Sequence, residues 1–174
     1  MNDHVDTLKA AFWSLLSALA LSLHILLAAP IAGPQLYGLL AVLGFGLLLP
    51  PISTLYLRFT ALNPHAAILT ALNGTAMAIA GIGALTFNDL EPAALLFLGM
   101  WWWVVGKFSA ESGALPRPLG YATMVLSVLA FAALLGDVFG VRVAWTAARL
   151  ALAAWLIVLA AILYRSAPTA PDAR

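Results

Sequence analysis

The sequence predicts an all-α, polytopic membrane protein, a bundle of six transmembrane helices joined by short loops. Three observations predict it. Hydrophobic residues make up 64% of the 174 residues and charged residues 9%, against about 45–50% and about 25% in an average soluble domain. Mean hydropathy is +1.02. The apolar residues fall into six runs separated by proline and glycine punctuation, and a run of roughly 20 apolar residues is what a bilayer crossing requires.

The first run covers about Ala11 to Ala29 and closes at Pro30 and the turn Ala32-Gly33-Pro34. It is longer than the apolar core of a secretory signal, about 7–15 residues. The segment before it carries Asp3, Asp6 and a single Lys9, a poor signal n-region, so it reads as a retained span. The second run, about Leu36 to Leu57, contains Gly44-Phe45-Gly46 and then Pro50-Pro51. Each proline lacks an N–H, so the carbonyls four residues back lose their partners and a kink is expected there. That makes Pro50 and Pro51 candidate hinge residues. The third run, about Ala66 to Phe87, follows the breaker Asn63-Pro64. The fourth, about Pro92 to Val105, follows Asn88-Asp89-Leu90-Glu91, which reads as an N-cap with acids favouring the helix start. The fifth, about Leu119 to Leu135, follows Leu115-Pro116-Arg117-Pro118. The sixth is about Val143 to Tyr164, and residues 166–174 form a short tail expected to be flexible. Backbone groups in lipid must be satisfied within their own segment, so all six runs are expected to be helices of one domain spanning residues 1–174.

Orientation follows from the cations. With the N-terminus in the cytoplasm, Lys9, Arg58, Lys107, Arg117, Arg165 and Arg174 are inside, six of the eight lysines and arginines, and among the connecting segments only Arg142 is outside. The positive-inside rule gives both termini in the cytoplasm. Alanine, leucine and proline usage points to a bacterial inner membrane. Trp13, Trp101, Trp102 and Trp103 fall near the inner boundary and Trp145 near the outer one, so all five are expected as interfacial anchors or helix-packing residues.

Polar residues at membrane depth carry what chemistry there is. Ser17 and His24 share one face of span 1 within about 20°, with Ser14 about 80° from His24. His24 reads first as a neutral imidazole bonded to a neighbouring helix. A proton-accepting role or an axial ligand to a porphyrin are the sharper alternatives, but His4 and His65 lie outside the spans at the other end and supply no second haem ligand. Arg149, about six residues into span 6, can snorkel or pair with an outer acid among Asp89, Glu91 and Asp137. His24, Arg149 and one such acid are expected to form an outer polar cluster. Asn73 lies on a stripe with Thr70, Met77, Ala80 and Ala84, beside a small-residue surface of Gly74, Ala78 and Gly81. Asn73, like the Thr123–Ser127 pair in span 5, reads first as interhelical glue. His24, Asn73 and Arg149 are the candidate ligand-binding residues.

Several classes are excluded or disfavoured. There is no cysteine, which removes disulfides, thiolate metal sites and cysteine nucleophiles. Net charge is +1, without a basic patch for nucleic acid. No HExxH and no glycine-rich phosphate loop occurs, and no acid lies well inside a span, which argues against an ion-driven carrier. No metal, cofactor or catalytic residue is therefore expected. The expected function is a non-enzymatic integral membrane protein, an accessory or scaffold subunit that meets a membrane-protein partner or a second copy in the lipid bilayer. The alternative is a carrier or substrate-binding component for a small neutral or lipophilic solute.

Overall fold

The computed structural model describes residues 3–84, 90–139 and 143–166, all as helices and short connections. Seven helices follow in order: α1 (Asp3–Leu26), α2 (Ala28–Gly46), α3 (Leu49–Thr60), α4 (Pro64–Ala84), α5 (Glu91–Ser112), α6 (Arg117–Val138) and α7 (Val143–Ser166). Six stretches are long and apolar enough to cross a membrane: Asp6–Leu26, Gln35–Thr60, Pro64–Ala84, Glu91–Ser112, Arg117–Gly136 and Trp145–Ser166. The expected turn at the end of span 1 is present in part as a bend inside α2, where Gly33 adopts φ 70°, a region open mainly to glycine.

The second span is two helices, α2 and α3, separated at Leu47–Leu48. The break stands just ahead of Pro50 and Pro51, which occupy the first turn of α3, where a missing N–H does no harm. The fourth span is longer than its apolar run suggests. α5 continues past Val105 through Gly106-Lys107-Phe108 to Ser112 and ends on the left-handed Gly113 (φ 73°). The start of α5 is described from Leu90, with Pro92 in the first turn. Asn88, Asp89, Arg142 and residues 167–174 lie outside the described residues, as does the side chain of Asp137.

The spans close into a ring. α1 packs on α7 and on α2 and α3, α4 bridges α3 to α5, and α5 lies against α6, the most extensive pairing. The α6–α7 seam is thin, and a hollow of about 350 Å³ opens there between Trp102, Ala130, Gly136 and Ala148. The α5–α6 pairing is close because glycines face each other. A Cβ on Gly106 would stand 2.8 Å from the Gly120 carbonyl oxygen, and one on Gly120 would stand 2.7 Å from the Ala110 nitrogen. The small face of α4 is also spent inside the bundle, with Gly74 against Ile52 and Trp101 and Gly81 against the ring of Phe45.

At the centre, Trp101 and Trp102 surround Trp155, with ring centroids 5.3 and 6.5 Å away. Trp155 Nε1 donates to Thr123 Oγ1 at 2.8 Å, which joins α7 to α6. Ser127 Oγ donates to the Gly99 carbonyl at 2.7 Å, and Ser17 Oγ to the Gly44 carbonyl at 2.5 Å. The buried Ser17 and Ser127 hydroxyls thus bond backbone oxygens across helix contacts, as polar glue in membranes does.

Candidate functional site: a buried arginine–histidine cluster

His24 stands in the last turn of α1 and Arg149 in the second turn of α7, on the face where these helices meet. Arg149 Nη1 and His24 Nδ1 are 2.9 Å apart. A guanidinium has only donors, so Nδ1 must accept, and the imidazole is then the neutral tautomer with its proton on Nε2. Arg149 Nη2 donates to Thr146 Oγ1 at 3.2 Å, one turn earlier on the same helix. The guanidinium also lies over the Trp145 ring, with Cζ 5.4 Å from its centroid, within cation–π range. Trp145 is held flat by stacking on Phe45 (5.9 Å, 3°), and His24 packs on the Tyr37 ring at 3.9 Å.

The cluster has an electrostatic frame as well. The Tyr37 hydroxyl and the Glu91 carboxylate both act on the guanidinium. Of the three outer acids weighed from sequence, Glu91 is the one among the described side chains, and its charge reaches Arg149. His24 and Arg149 are buried, at 1% and 7% exposure. Among the described residues, three nitrogens of the cluster are buried without a hydrogen-bond partner: His24 Nε2, Arg149 Nε and Trp145 Nε1. All three are N–H donors, so the cluster is short of acceptors.

Asn73 is elsewhere. It lies on α4 at 7% exposure, on the wall of a separate hollow of about 420 Å³ that opens outward between α4, α5 and α6. Leu69, Met100, Trp103, Val128 and Phe131 line the same hollow, which is otherwise almost wholly apolar. No hydrogen bond reaches the Asn73 carboxamide from the described residues. The structure therefore brings His24 and Arg149 together and leaves Asn73 apart from them, since α1 and α4 share no extended contact.

The tryptophans divide. Trp13 is half-buried about midway along α1, edge-on to Phe12. Trp145 lies near a bundle end but faces inward beneath Arg149. Trp101 and Trp102 are fully buried midway along α5, so of the two expected roles they are helix-packing residues and not interfacial anchors. The reason is the extra length of α5, which moves the triplet away from the helix end. Only Trp103 of the three faces out, at 43% exposure. Pro50 and Pro51 lie at the α2–α3 break, and Pro51 is buried.

Sequence reasoning missed Tyr37, Thr146 and Trp155. Tyr37 follows the Gly33 bend, and no periodicity indicates that the bend turns it onto His24. Thr146 was legible in principle, three residues before Arg149 and hence on the same helix face. No protein-family model, no curated protein and no solved structure matches this chain.

Proposed function

We propose that this chain is a non-enzymatic protein of the bacterial inner membrane, an accessory or scaffold subunit that associates through its α4–α5–α6 face. The observation that carries the reading is Asn73. Ser17, Ser127 and Thr123 make hydrogen bonds across helix contacts, whereas the Asn73 carboxamide lines an outward apolar hollow with no hydrogen-bond partner among the described residues. Lipid tails cannot satisfy a carboxamide, and each unmet polar group in hydrocarbon is costly. A second copy of the chain is the favoured occupant. Copies inserted with one topology carry Asn73 at one depth, and a two-fold axis along the membrane normal sets the two residues face to face. A carboxamide is both donor and acceptor, so it complements itself.

The absence of cysteine makes the test simple. Leu69→Cys and Met100→Cys place thiols on the hollow, and Leu19→Cys and Ile157→Cys place them on exposed faces of α1 and α7. With a short thiol-specific crosslinker in native membranes, the first pair is expected to give dimers and the second pair none. Asn73→Leu is expected to weaken dimerisation by about 3- to 30-fold, the range of interhelical polar bonds. Crosslinks only from α1 or α7 would keep a scaffold but remove this face. A chain that is monomeric by every thiol and by native mass spectrometry, with no membrane partner, would remove the reading.

A second reading is favoured by the three unpartnered donors at His24, Arg149 and Trp145. It is a substrate-binding component for a small lipophilic solute that carries an acceptor, with the break ahead of Pro50 and Pro51 as the moving part. Asn73 is not part of that site. A solute that co-purifies with the chain and is lost in both His24→Ala and Arg149→Ala supports it, and an unchanged adduct in both disposes of it.

A further inference from the structure

The opposite end of the bundle from His24 carries a second unassigned feature. Arg58 lies in the last turn of α3 and Arg165 in the last turn of α7. Cations at helix C-termini complement the helix dipole, but that alone does not require both to face one space. Here they do. α5 stops at Gly113, whose N–H bonds the Ser109 carbonyl, and the chain then drops inward to the buried Leu115 before α6 begins. This loop leaves a hollow of about 490 Å³ bounded by Arg58, Arg165, Ser166, Pro116, Leu115 and Ile162.

Among the described residues the hollow is lined by two positive charges and no acid. Arg58 is half-buried and donates to Ser166 Oγ at 2.9 Å, a neutral partner. Among the described residues the ion pairs are Lys9–Asp6 and Lys107–Glu111, both exposed, and neither involves these arginines. Guanidinium forks match phosphate oxygens bidentately. The remaining wall, Ala114, Leu115 and Ile162, is apolar. A site with paired cations, an apolar side and a place at the ends of two spans suits an amphiphilic anion at headgroup depth.

We propose that the Arg58–Arg165 hollow binds a phosphate-bearing anion, and specifically the phosphodiester of an anionic phospholipid. The glycerol and first acyl carbons lie against Ile162 and Leu115, and the phosphate lies between the two guanidinium groups. Free phosphate shares the recognition chemistry, and the test separates the two sources.

The full chain in a neutral detergent is titrated with phosphatidylglycerol, phosphatidylcholine or inorganic phosphate and read by native mass spectrometry. Phosphatidylglycerol is expected to be retained over phosphatidylcholine. Retention falls about fivefold in Arg58→Gln and again in Arg165→Gln, and weakens as salt rises. Arg117→Gln removes an exposed cation at the same end that does not line the hollow, and is expected to change nothing. Inorganic phosphate that displaces the lipid with the same sensitivity to both arginines supports the phosphate chemistry and assigns free phosphate as the source. Equal retention of both lipids with no phosphate binding overturns the proposal. So does an Arg117→Gln loss as large as the other two, which would mean diffuse surface charge. If Arg58→Gln does not fold, Arg165→Gln alone decides.

Discussion

Arg149 donates a hydrogen bond to His24 Nδ1 at 2.9 Å, the contact that joins the two groups between α1 and α7. The two are not equivalent. Removing His24 leaves a buried charge short of an acceptor, whereas removing Arg149 leaves only a neutral ring. Hydrogen bonds to charged groups contribute about 1.5–3 kcal/mol, and an orphaned charge costs the full desolvation of that group. His24→Leu is therefore expected to destabilise the bundle by about 2–3 kcal/mol and Arg149→Met by less. The double variant should be milder than the sum, with a coupling above ~0.5 kcal/mol. Thermal or denaturant unfolding of all four proteins in one detergent measures the cycle. Strict additivity would mean the contact does not link the two side chains. The pairing itself was legible from depth alone, since both residues lie in the same third of their spans. Which acid, which aromatic rings and which tautomer join them depends on the Gly33 bend and on α1 meeting α7, and neither is written in a periodicity.

Glycine position divides the helices into two kinds of contact. At Gly106 a Cβ would lie 2.7 Å from the Met124 backbone nitrogen, so Gly106→Ala must push α6 away from α5. Overpacking of this kind costs about 1–3 kcal/mol. Gly38, in α2, has nothing within 4 Å of its would-be Cβ. Gly38→Ala is expected to gain up to about 0.5–1 kcal/mol from helix propensity. Opposite signs for the same substitution, read as melting temperatures, test whether the α5–α6 pairing is as close as it stands. The six spans were legible because hydrophobic run length carries that information directly. The α2–α3 break was legible because proline removes specific carbonyl partners, and it falls just ahead of Pro50. The end of α5 was not, because Gly106-Lys107 resembles a stop signal. In the fold Gly106 is instead the contact point with α6, and Lys107 pairs with Glu111 one turn on.

The ring of spans places its charges at two ends with different chemistry. At one end lie Lys9, Arg58, Lys107, Arg117 and Arg165. At the other lies the buried His24–Arg149 cluster. The first end holds five of the eight lysines and arginines in the sequence. Lysine and arginine in short loops near span ends resist translocation, which is the ground for the proposed orientation. The proposed orientation therefore has both termini and the α3–α4 connection in the cytoplasm. Fusions following Leu62 and Ser166 are expected to fluoresce with a reporter that matures only in the cytoplasm. A fusion following Phe139 is expected to be active only with a reporter that folds outside. The orientation also decides the chemistry at each end. In the expected sense the Arg58–Arg165 hollow meets the anionic cytoplasmic leaflet, whose surface potential adds to its attraction for lipid phosphate, while His24 and Arg149 lie toward the external face. The reverse reporter pattern would put the arginine hollow on the outer side and take that added attraction away.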